Sequence, residues 1–221
     1  MDWFPLLNSL RIAALSCVLV FFGGIAAAYY AARLPRLAKG VLDALLTLPM
    51  VLPPTVVGYL LLLLFGNRRP LGPLLARVDL HFVMTWYGGV LAASVVAFPL
   101  MYRTARGAFE SFDETLDQAG QTLGLSGTFL FWRVRMPACR QGILAGVVLA
   151  FARALGEYGA TSMLIGYTPG RTATISTTVY QLWRTGDDAG ALFWVGVNLV
   201  ISAAVLLTVN LLERPAKGGP R

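Results

Sequence analysis

The chain has 221 residues, of which 57% are hydrophobic and 13% charged, with a mean hydropathy of +0.66. That balance excludes a soluble globular domain and marks an integral membrane protein, so the formal charge of +7 is read by side of the bilayer and not as affinity for nucleic acid. It carries no Gly-x4-Gly-Lys-Ser/Thr loop to cradle nucleotide phosphates and no nucleophile–base pair, and His81 as sole histidine has no companion ligand for a metal site.

Five stretches approach the roughly 20 apolar residues that a helical crossing needs: residues 12–32, 42–65, 82–102, 142–165 and 191–212. The first offers small residues at Ala26-Ala27-Ala28, but it is long for a cleaved signal and is preceded by Asp2, not a basic cluster, so it reads as a retained span. Cys17 lies in this apolar run and Cys139 beside a basic loop, at different depths, so a disulfide is not expected.

The second stretch holds Pro49, Pro53 and Pro54. Each proline removes a backbone donor and strands a carbonyl one turn back, which hydrocarbon tolerates only where the backbone is buried in protein or lines a wet cavity. A helix restarting after Pro54 would aim the N–H groups of Val56, Val57 and Gly58, with the Thr55 hydroxyl, into that space, an arrangement suited to an anion. The alternative is a kink that only shapes packing. The third stretch carries Gly88, Gly89, Ala92, Ala93 and Ala97 for close helix packing, and Pro99 is expected to bend its end. Arg103 and Arg106 follow as interfacial anchors.

Residues 103–140 are polar, basic and aromatic. Ser111 and Glu114 have capping-box spacing. Leu116, Ala119, Gly120 and Leu123 share one helical face, Gly124 suits a left-handed stop, and Ser126 begins a second short helix with Phe129, Leu130, Trp132 and Arg133. Two short helices joined at a glycine, with exposed aromatics and arginines, suit the grip of another protein. The fourth stretch has Gly142, Gly146, Ala150 and Ala154 at four-residue spacing, a packing seam within the subunit or across a dimer. Arg153 and Glu157 lie one turn apart at membrane depth and are expected to pair, either as path residues or as a neutral pair holding helices in register. Residues 167–190 predict an amphipathic surface helix with Tyr180 and Trp183 at the interface.

Gln118-Ala119-Gly120, then Gly124, then Val134-x-Met136-Pro137 resembles the E-A-A-x3-G-x9-I-x-L-P signature of the membrane subunits of bacterial ABC importers. Spacing is kept, while Gln118, Gly120, Val134 and Met136 depart from the signature by residues of similar size and polarity. The run from Leu48 to Leu62 is similar to molybdate importer permeases, as is Phe151–Thr161, with Tyr158 where Phe is common; sulfate permeases share the Arg-x-x-Gly-Glu part. The likeness runs from the first span to about Leu212.

The resemblance implies an all-α polytopic permease of the type I importer kind, with one transmembrane domain over residues 1–221, in the bacterial inner membrane. It implies a coupling loop, residues Gln118, Ala119, Gly120, Gly124, Ser126, Phe129, Trp132, Arg133 and Pro137, seated in the groove of an ATPase subunit. Two such subunits would carry ATP and Mg, this chain binding no cofactor itself. A second copy of the chain and a periplasmic or lipid-anchored oxyanion-binding protein, received on the outer face, complete the expected partners besides membrane lipid. Pro49, Pro53, Pro54, Thr55, Gly58, Arg153 and Glu157 are the candidates for a translocation path or gate. With the loop in the cytoplasm, alternation sets Arg33, Arg36, Lys39, Arg214, Lys217 and Arg221 inside and Arg68, Arg69, Arg77, Arg171 and Arg184 outside, so the N-terminus is outside and the C-terminus cytoplasmic. Molybdate is the expected cargo, with sulfate, thiosulfate or tungstate as alternatives. From other classes, an ion-coupled secondary transporter lacks its array of intramembrane acids, and a non-transporting anchor leaves the broken second span without a use.

Overall fold

The computed structural model describes residues 2–212, with side chains to Thr208; Arg214, Lys217 and Arg221, expected inside, lie outside the described residues. Among those described, every regular element is a helix. They are α1 Phe4–Ala32, α2 Arg36–Val51, α3 Pro54–Phe65, α4 Gly72–Ala76, α5 Trp86–Glu110, α6 Glu114–Thr122, α7 Gly127–Leu130, a π-type turn Phe131–Arg135, α8 Met136–Ala138, α9 Arg140–Leu155, α10 Gly159–Ile165, α11 Ile175–Arg184 and α12 Asp188–Leu212. α1, α5 and α12 are each long and apolar enough to cross a membrane. α2 with α3, bent by 110°, and α7–α8 with α9, bent by 74°, are each apolar enough to make a further broken span or a re-entrant loop, for up to five crossings among the described residues.

The core is the contact of α1, α5 and α9, and small residues decide how close they come. A side chain at Gly24 on α1 would reach within 2.8 Å of Met101 on α5, and one at Gly146 on α9 within 2.2 Å of Thr104. Gly142 likewise abuts Ala108 at 2.8 Å, so the seam on the fourth span packs inside the subunit. Without a hydrophobic drive between helices in lipid, such backbone approach supplies the dispersion contacts that hold a bundle together. The thiol of Cys17 donates to the Val147 carbonyl at 3.5 Å and that of Cys139 to the Ala108 carbonyl at 3.2 Å, two weak ties in the same core.

Element ends depart from the hydropathy reading. α1 begins eight residues before residue 12, and α5 starts at Trp86 on a Thr85 cap and stays helical through Pro99 to Glu110, because Ala105 and Phe109 bury a face that a hydropathy window averages with its charged neighbours. Ser111 is thereby used to end α5, its hydroxyl returning to the Ala108 carbonyl, so the capping box with Glu114 does not form; Asp113 caps α6 instead. The fourth stretch is interrupted between Leu155 and Gly159.

The bundle has two ends: a loop end, carrying α6–α8, and a far end, where α11 begins. There Thr174 and Thr177 form a capping box, and Asn8 and Ser9 of α1 bind the Ala173 carbonyl and the Ile175 N–H, both at 2.9 Å. α11 is amphipathic, burying Ile175, Thr177 and Thr178 and exposing Tyr180 and Trp183.

Candidate functional site

The loop end is built from short helices whose contacts lie far apart in sequence. α6 stops at Thr122 because Gly124 takes a left-handed backbone with φ 77°; the Leu125 N–H then reaches the Gly120 carbonyl and the Gly124 N–H that of Gln121, a Schellman stop. Ser126 caps α7 by accepting from the Phe129 N–H at 3.3 Å. Asp113 accepts the Thr115 N–H, and that bond holds its carboxyl below the usual carboxylate range. Behind these surface features, Arg135 is buried, contacts Asp117 at 2.5 Å and lies over the Phe112 ring, so the π-type turn is pinned to α6. Gly120 is buried because Leu130 fills the place of its absent side chain, 2.3 Å from where a Cβ would stand.

Val134 and Met136 of the signature pack against the core, while the remaining coupling-loop candidates point outward. Gln118, Ala119, Gly124, Ser126, Phe129, Trp132, Arg133 and Pro137 are all exposed, Trp132 by 54%. Leu116 and Leu123, read as sharing the apolar face of α6 with Ala119 and Gly120, are exposed too. The loop end thus displays an apolar and basic face on a stiffly supported frame.

A second charged cluster at the loop end was not foreseen from the sequence. Asp43 on α2 accepts from both Tyr102 and Arg106 on α5, and Lys39 pairs with Glu110 at 2.8 Å. Arg106 is therefore no free interfacial anchor; it fastens α2 to α5. Its partner stands 63 residues earlier, too far for any local pattern to reveal.

In the bent second span, α2 ends at Val51 and α3 restarts at Pro54, capped by Pro53. The N–H groups of Val56 and Val57 are both taken by the Pro53 carbonyl, at 2.9 and 3.2 Å, so the open row of donors expected there does not exist. Gly58 faces α10, where a Cβ would stand 2.7 Å from the Ala160 backbone, and one at Gly159 would stand 2.8 Å from the Pro54 Cβ. Thr55, Val56, Tyr59 and Leu60 remain exposed along α3, while α2 buries no residue in this chain. Glu157 is 3% exposed: one oxygen accepts from the Ala160 N–H at 2.7 Å, the other contacts Arg153 at 2.6 Å. Among the path candidates, then, Gly58 and Glu157 are turned into the protein, and Thr55 lies on an open face. Neither the loop nor the bends bring acids, histidines or cysteines together as a metal cluster among the described residues.

Comparison with known proteins gives a consistent result. Residues 20–215 match the family described as binding-protein-dependent transport system inner membrane component. The molybdenum transport system permease protein ModB of Escherichia coli strain K12 is 40% identical over 96% of this chain and 94% of its own length. The sulfate transport system permease protein CysW of Synechococcus elongatus is 35% identical over 87% of this chain and 68% of its own. Among solved structures, a bacterial ABC transporter that imports the acidic polysaccharide alginate superposes with a TM-score of 0.74 at 18% identity, over 97% of this chain and 79% of that one, a likeness of fold.

Proposed function

Since the chain belongs to the family of inner-membrane components of binding-protein-dependent transport systems, we propose that it is the membrane-spanning permease subunit of an ATP-driven importer of molybdate. It is a transport component of a bacterial inner membrane and crosses it several times. The observation that carries the cargo is the 40% identity with a molybdenum permease along almost the whole of both chains.

The chain acts with partners. The exposed face around Gln118–Pro137 docks on an ATPase subunit, two copies of which bind ATP and Mg, so the loop end is cytoplasmic and the far end faces outward. That orientation sets the N-terminus outside and the C-terminus in the cytoplasm. The uncovered sides of α2 and α3 meet a second copy of the chain, and the oxyanion passes between the copies along Thr55 and the Pro49, Pro53 and Pro54 bends, with Arg153 supporting the wall. An oxyanion-binding protein, periplasmic or lipid-anchored, docks at the far end near α11. ATP-driven closure of the ATPases draws the docked loops together, and the rigid link from α7–α8 through the 74° bend into α9 carries that motion to the helices.

Uptake of molybdate into vesicles holding the permease, its ATPase and its binding protein tests the cargo, with tungstate, sulfate and thiosulfate as competitors. Molybdate is expected to saturate uptake at the lowest concentration. Because a sulfate permease is also 35% identical, sulfate, thiosulfate or tungstate is the second reading, and preferential sulfate uptake would install it.

A further inference from the structure

At the far end, away from the bent spans, the start of α1, the start of α5 and the turn before α11 line an open cleft of about 370 Å³. Its lining includes Arg11 and Arg171, both exposed, the buried Asn8 and Thr172, and no aspartate or glutamate. Among the described residues neither arginine has a carboxylate within 4.0 Å, and one oxygen of Asp2, the acid nearest Arg11 in sequence, accepts the Phe4 N–H at 2.9 Å. Asn8 is 4% exposed and gives one amide hydrogen to the Ala173 carbonyl, which leaves the other. Thr172 is 1% exposed and accepts from the Thr168 N–H at 3.0 Å, so its own proton is left to donate.

We propose that this cleft binds a tetrahedral oxyanion of the phosphate class, supplied by a phospholipid headgroup or by the free ion.

The donor set argues for the charge. Two cations line one hollow with no acid among its walls, and an anion held there would gain charge-assisted hydrogen bonds from both. A buried hydroxyl proton without an acceptor is costly, and an oxyanion supplies the acceptor. Arg11 lies 3.3 Å over the Trp86 ring, which fixes its plane and leaves its edge donors free for two-point contact with a tetrahedral anion. The level in the membrane argues for a lipid source: Arg11 immediately precedes the apolar run, and Phe4 and Trp86 stand beside it, where aromatic side chains meet headgroups. The site is separate from the bent spans and does not rest on the identity of the cargo.

The experiment uses the purified full chain, stripped of lipid in a non-ionic detergent, and follows its thermal midpoint. Phosphatidylglycerol, phosphatidylcholine and inorganic phosphate are titrated separately against wild type, R11Q/R171Q and Thr172→Val. Phosphatidylglycerol is expected to raise the wild-type midpoint where phosphatidylcholine does not, and R11Q/R171Q to need at least ten-fold more of it. Thr172→Val, which keeps both charges, is expected to weaken the response without abolishing it and serves alone if the double variant does not fold. An equal rise with inorganic phosphate assigns the site to the free ion. No rise with either anion, or variants that respond as wild type does, overturns the proposal.

Discussion

Glycine is used here in two physically different ways, and alanine substitution separates them. At Gly120 the space of a Cβ is held by the tip of the Leu130 side chain, which can rotate away, so Gly120→Ala is expected to change stability by less than about 1 kcal/mol, the helix-propensity gain offsetting the shift. At Gly58 the same space is held by the Ala160 backbone, and Gly58→Ala is expected to cost about 1–3 kcal/mol through overpacking. Detergent-solubilised thermal midpoints distinguish the two, and equal losses would contradict the assignment. The Arg153 and Glu157 pair makes a second prediction. Removing one charge strands the other at membrane depth, at a cost of at least about 2.5 kcal/mol, so R153Q/E157Q is expected to fold in better yield than either single variant. Asp113 adds a smaller, pH-dependent part. With its pKa lowered by the Thr115 N–H, its stabilisation of α6 is present at neutral pH and is lost as acid protonates it.

The elements differ in how readily the sequence disclosed them. The stop at Gly124 was visible because a left-handed backbone after a short helix calls for glycine, and the Ser126 cap because its role is local. The bend after Val51 followed from three prolines in one apolar run. The interruption at Gly156–Tyr158 was not visible: it contains no proline and depends on Glu157 capping the α10 backbone from within the packed core. The Asp43–Tyr102–Arg106 cluster was hidden for a related reason, since its members meet only once α2 folds against α5. That cluster makes the loop end of α2 depend on α5. Asp43→Asn is expected to loosen α2, measured as faster amide exchange over residues 36–51 with α1 unchanged. For the loop, F129A/W132A removes two exposed aromatics, of which Trp132 touches Phe131 only edge-on. The double variant is expected to weaken ATPase co-purification at least ten-fold while leaving the thermal midpoint within about 2 °C, since surface changes seldom exceed 0.5 kcal/mol.

For the molecule as a whole, the division of labour follows from what the chain exposes. Its core is internal to one copy, formed by α1, α5 and α9, whereas α2 buries nothing and much of α3 lies open. The open sides are where the proposed second copy and path belong, and hydropathy could not separate them from lipid-facing surface. Reconstituted alone in vesicles, the chain is expected to concentrate no molybdate, and adding the ATPase, binding protein and ATP to start accumulation. Unaided pumping would refute the proposed coupling.

Gly58 against the Ala160 backbone, and Gly159 against the Pro54 ring and the Thr55 nitrogen, join two half-spans at contacts where no side chain reaches beyond a Cβ to act as a spring. A tilt of α10 is therefore felt at the proline break without damping. In the proposed transport cycle the two halves would move as one stiff lever, and a single methyl inserted at that fulcrum would be expected to slow the stroke even in molecules that still fold.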